Sequence, residues 1–233
     1  MSEAKRKVSR FSWKKLLVGT TASAIVVTGA MGLLHTSFGK PLLMKVGGCP
    51  AANATPAGVE EGQKQAIRVT RGTDPAPQRI ALGFMLDKTT FSEVDAWAKG
   101  HGIKCKSVRE DTTYSCENIP AVALPASMAQ SHLDELEFSF RVKDKTLIGL
   151  STWRWHMTED GAARDLDSVV GRLKKDLGEP ATDEGDRSKL GKQEFAGAIV
   201  KYNFKDYLCT ISGMNLPSKG ITMHESYLTG VVD

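Results

Sequence analysis

Apolar residues follow three regimes along the chain: an uncharged, largely apolar run at 16–34, a stretch with no aromatic residue between Gly39 and Gly83, and regular periodicity from 79 onward. The periodic part predicts the fold. Ile80, Leu82 and Phe84 alternate with other residues, as in a strand. Thr90-Phe91-Ser92-Glu93 is a capping box opening a helix with apolar positions Phe91, Val94, Trp97 and Ala98, closed by Gly100 and Gly102. Strands are predicted over 103–108 and 112–119. Residues 135–142 set acidic or polar side chains against Leu136, Phe138, Phe140 and Val142, the clearest half-buried strand in the chain. Lys143-Asp144-Lys145 turns it back into a hairpin partner over 146–155.

A second helix is predicted over 159–177, with Thr158 as N-cap and one apolar stripe at Leu166, Val169, Val170, Leu173 and Leu177. Gly178 and Pro180 end it. The polar stretch 183–192 reads as a loop, followed by strands over 196–204, 207–214 and 221–228. The expected class is therefore α+β: two helices on one face of a mainly antiparallel sheet. A shift of 75 residues superposes Phe91 on Leu166 and Val94 on Val169. So few matches fit two helix-meander repeats and chance equally well.

The order of apolar strand, Leu82-Gly83-Phe84, helix from Phe91 and meander, with glycines closing both helices, resembles a group of small envelope modules. These are typified by beta-lactamase inhibitory protein and the SmpA-type outer-membrane assembly lipoproteins. The resemblance spans about 150 residues of this chain. It implies a non-catalytic envelope protein that binds other proteins, and it transfers no functional residue.

Charge changes the picture at the N-terminus. The whole chain of 233 residues has a formal net charge of +4. Residues 1–15 hold Lys5, Arg6, Lys7, Arg10, Lys14 and Lys15 against the single acid Glu3, so this block is +5 and the rest of the chain is −1. The basic excess gives no support to nucleic-acid binding. It precedes nineteen uncharged residues at 16–34, enough helix to cross ~30 Å of hydrocarbon. Basic residues before such a run place the N-terminus in the cytoplasm and the remainder of the chain on the other side. The run reads as an uncleaved membrane anchor; Ser37-Phe38-Gly39 marks the alternative, a cleaved signal peptide. Residues 35–78, with Pro41, Pro50, Pro56, Pro75 and Pro77, read as a linker carrying a short helical turn near 60–67. The expected location is the cytoplasmic membrane, single-pass, with residues 79–233 in the periplasm or extracellular space.

Outside the cytoplasm, four cysteines favour disulfides. Cys105 and Cys116 lie on consecutive predicted strands, opposite one another or within a residue of it, and are expected to pair. Two buried free thiols, or half a metal site, are the other readings. A second bridge, Cys49 to Cys209, would tie the linker to the domain. Val46-Gly47-Gly48-Cys49 also resembles a lipobox, though Lys40, Pro41 and Lys45 separate it from the apolar run.

Candidate chemistry is sparse. His35, His101, His132, His156 and His224 show no ligand spacing, and no phosphate-binding or nucleophile-elbow motif occurs. No catalytic residue, metal or cofactor is expected. The binding candidate is Trp153-Arg154-Trp155, residue types enriched at interface hot spots. Phe138 and Phe140 on the neighbouring strand favour instead a core position for both tryptophans, beneath a helix. The expected function is an envelope protein-binding or assembly module with an unidentified envelope partner. The alternative is an envelope hydrolase with a non-standard site around His156, Glu159 and Asp160.

Overall fold

The computed structural model describes residues 55–124 and 132–232. The chain divides into two units, 1–54 and 55–233. The expected anchor, the basic block and Cys49 lie outside the described residues. Among the described residues, no helix is long and apolar enough to cross a membrane.

The second unit is α+β, with three helices packed against a mainly antiparallel sheet. It starts earlier than expected. Helix α1, Pro56–Thr70, occupies much of the presumed linker; Thr55 caps it by accepting from Gly58 N at 3.2 Å, and Pro56 stands in its first turn. Ile67 is its only buried residue, so it shows no apolar stripe in the sequence. Polar contacts hold it instead: the Glu60 carboxylate accepts from Val142 N at 2.9 Å, and the Arg71 guanidinium donates to the Gly230 carbonyl at 3.3 Å.

The strand expected around Ile80 to Phe84 is a two-rung hairpin, β1 (Ile80–Ala81) and β2 (Phe84–Met85). Leu82 and Gly83 both have positive φ, 50° and 85°, as a type I′ turn requires. Helix α2, Phe91–Gly100, has both halves of its capping box formed. It packs through Phe91 and Trp97 edge-on against Phe140 and Phe138.

From α2 the chain makes a four-stranded antiparallel meander: β3 (Cys105–Val108), β4 (Thr113–Ile119), β5 (Leu133–Phe140) and β6 (Leu147–Met157). Helix α3, Glu159–Leu177, comes next, capped by Thr158, with Leu166, Val169, Val170, Leu173 and Leu177 buried. A second meander closes the fold: β7 (Thr182–Gly185), β8 (Gly197–Asn203), β9 (Tyr207–Leu216) and β10 (Gly220–Thr229). β7 replaces the predicted loop. As a sheet edge it pairs only with β8 and buries nothing, so its sequence has no strand-like alternation. The order β3-β4-β5-β6-β10-β9-β8-β7 fuses the two meanders at a β6–β10 seam. Each half is thus a helix leading into four strands, and the halves mirror one another about the seam.

One face of the sheet, carrying Phe138, Phe140, Leu150, Ile211 and Tyr227, forms the core with α2 and α3. Cys105 and Cys116 stand directly opposite on β3 and β4 and form a disulfide. The chain reverses between them through Arg109, Glu110 and Asp111, all with positive φ.

Candidate binding face

The register of the β5–β6 hairpin decides where the tryptophans go. Glu135 pairs with Trp153, Leu136 with Thr152 and Phe138 with Leu150. Trp153 and Trp155 therefore share a face with Glu135 and Glu137, not with the core phenylalanines. The expectation of a core position is corrected: both indoles lie on the face opposite α2 and α3 and are half-buried. Phe138 and Phe140 pack with Phe84, Phe91 and Trp97 on the other side.

On that open face the rings form a column. Trp153 and Trp155, two residues apart, stack at 4.7 Å between centroids and 8° between planes. His224, cross-strand neighbour of Trp153, stacks on it at 4.0 Å. Lys219, on the β9–β10 turn, puts its ammonium 4.7 Å from the Trp155 centroid, a cation–π contact. His156 N donates to the Lys219 carbonyl at 3.0 Å, tying that turn to the end of β6. Trp155 N donates to the Asp134 carboxylate at 2.6 Å, fixing the strand where the register with β10 shifts. Desolvation holds the His224 imidazole below its ordinary pKa of 6.5, which favours the neutral ring in the stack.

The registers extend this face into rows across the sheet. One row runs Lys106, Ser115, Glu137 and Ser151 from β3 to β6. It continues as Ser226, Thr210, Lys201 and Thr182 from β10 to β7. The adjacent row holds Glu117, Glu135, Trp153 and His224, then Ser212, Ile199 and Glu184. Every residue of both rows is exposed or half-buried. The β3–β5 side of the face holds a groove of about 490 Å³ whose lining includes Lys104, Lys106, Glu117 and Glu137. Partial desolvation raises the Glu137 carboxyl above its usual pKa, the Arg109 charge opposing the shift and Glu135 adding to it.

Arg154 stands apart from this surface. It points into the helix side, 5% exposed, where its guanidinium meets Asp165 of α3 at 3.0 Å and Glu225 of β10 at 2.8 Å. Tyr227 donates to the second Glu225 oxygen at 2.5 Å, and Arg172 donates to the Tyr227 hydroxyl at 3.4 Å. Burial and the nearby Glu225 charge push the Tyr227 hydroxyl pKa well above its usual value. This network, for which the sequence pattern gave no expectation, is structural: it pins α3 to the centre of the sheet. Cys209, in the same region, is a free thiol with no exposure, its pKa pushed up first by burial and then by Glu225. A bridge from the linker would have to enter the core to reach it.

A cleft of about 220 Å³ beside the α3 N-terminus is lined by His132, Asp134, His156, Arg164 and Asp165 among others. His132 and Asp134 are 3.3 Å apart. Glu159 and Asp160 are exposed on the first turn of α3 and are not part of its lining. Among the described residues, the only hydroxyl side chain lining it is that of Thr158, which accepts from Gly161 N as the helix cap. Among the described residues, no group of three or more His, Cys, Asp or Glu side chains is arranged to hold a metal.

No protein-family model, curated protein or solved structure matches this chain. The likeness read from Leu82-Gly83-Phe84 and the glycine-closed helices therefore carries no family membership.

Proposed function

We propose that this chain is a membrane-anchored protein of the bacterial cell envelope. Its extracytoplasmic α+β domain acts as a protein-binding or assembly module through the open face of the sheet. The observation carrying this reading is the Trp155–Trp153–His224 column, set on a face whose two central rows have no buried residue. Stacked aromatic side chains are rigid and bring large contact area at little entropic cost, which suits the centre of an interface. Small hydroxyl residues, Ser151, Ser226, Thr210 and Ser212, flank the column and let a partner approach the sheet closely. Membrane attachment rests on the basic block and apolar run at 1–34, and placement outside the cytoplasm is consistent with the Cys105–Cys116 disulfide.

Site-specific photocrosslinking tests the reading. A benzophenone amino acid replacing Ser226 in the full chain, irradiated in intact cells, yields a protein adduct. The same probe at Asp167, exposed on α3, yields none. Equal labelling from both positions, or none from Ser226, contradicts a docking role for the open face.

A further inference from the structure

The charges on the open face are arranged in a way that the mirrored strand order makes self-complementary. β3 contributes Lys106, with Lys104 immediately before it on the same groove, while its mirror strand β7 contributes Glu184. β4 and β5 contribute Glu117 and Glu137, while β8, mirror of β4, contributes Lys201. None of these six side chains makes an ion pair of 4 Å or less among the described residues. Reading across the face, the signs run positive, negative, aromatic, positive, negative.

We propose that the open face docks a second copy of this chain. The two sheets meet face to face about a two-fold axis parallel to the strands at the β6–β10 seam. This inference rests on the docking role proposed for the face and names its partner. A rotation about that axis lays β3 of one copy over β7 of the other, so Lys104 and Lys106 approach Glu184. It lays β4 over β8, so Lys201 meets Ser115 with Glu117 and Glu137 as nearest carboxylates. Each contact occurs twice, as an isologous interface demands. An axis across the strands would instead stack Glu117, Glu135 and Glu137 on their own copies, and like charges would disfavour it. Trp153 and His224, on the two seam strands, fall at the centre, with the charges forming the rim.

The size is adequate. Eight strands at ~4.8 Å spacing, with about seven residues each at ~3.3 Å, give roughly 900 Å² of face. A stable interface needs ~800 Å² per partner.

The test is the mass of the photoadduct from the full chain carrying the benzophenone probe at Ser151. An adduct of twice the chain mass is expected. Lys201→Glu lowers its yield about tenfold, and adding Glu137→Lys to that variant restores it. Restoration shows that both variants fold and that the two positions lie close to each other across the interface. An adduct with a different protein, insensitive to the charge swap, overturns the second copy while leaving the face a docking surface. No adduct from Ser151 or Ser226 overturns both.

Discussion

The Arg154 guanidinium lies 2.8 Å from the fully buried Glu225 carboxylate, on the face opposite its neighbours Trp153 and Trp155. One strand thus sends a buried cation into the core and a pair of stacked indoles outward. The alternation of a β-strand lets adjacent residues serve stability on one side and recognition on the other.

Removing the buried cation should be costly. Arg154→Met leaves Asp165 and Glu225 without their shared partner in a water-poor site, and breaking such a pair costs about 3–5 kcal/mol. Denaturant unfolding of the variant checks this. A loss under about 1 kcal/mol, the range of exposed ion pairs, would contradict the buried network.

The cysteines separate cleanly by reactivity. Cys105→Ser with Cys116→Ser removes the cross-strand bridge and should lower stability by about 3 kcal/mol on the chain-entropy model. Cys209 is fully buried with a raised pKa, so a thiol reagent should label it only after unfolding. Rapid labelling of Cys209 in the folded protein would refute its placement.

His224 should give the open face a pH signature. Its folded pKa is depressed below 6.5 by desolvation, so the folded state favours the neutral ring. The stability this contributes is fully present above about 6.5 and is lost as pH falls through the lower folded value. Protonation also quenches a stacked indole, so tryptophan emission should fall over that same acid window. His224→Gln should abolish the step, whereas a wild-type midpoint above 6.5 would contradict the desolvation of the His224 ring.

Helix α1 is part of the folded unit, and Gly72 tests its attachment. A Cβ at Gly72 would come within 2.1 Å of the Asn203 carbonyl oxygen, a backbone atom that cannot swing away. Gly72→Ala should therefore lower the melting temperature and expose α1 to limited proteolysis. Wild-type resistance would show that α1 is not anchored there.

Much of this architecture was legible in the sequence because burial leaves a period behind it. The stripe from Leu166 to Leu177 and the alternation at Leu136, Phe138 and Phe140 each face a core, and the exposed capping box at Thr90 is legible for a different reason, as a local motif of fixed spacing. β7 and α1 were not legible for the converse reason: Thr182–Gly185 buries nothing and α1 buries only Ile67. The tryptophans were misplaced although a signal existed. A hairpin centred on Asp144 pairs Trp153 with Glu135, which puts both tryptophans on the acidic side and Arg154 on the apolar one. Asp165, inside the apolar stripe of α3, was the second sign that a buried cation had to meet it.

Whether the Trp153–Trp155 column is a docking surface or a prop for the fold is decided by one experiment. The Trp153→Ala/Trp155→Ala variant of the full chain, carrying the photoprobe at Ser226, is assayed for adduct yield alongside its unfolding free energy. The adduct is expected to disappear while the variant stays folded, its stability lowered by about 1–3 kcal/mol through loss of the half-buried stack. An undiminished adduct from a folded variant would contradict the docking role.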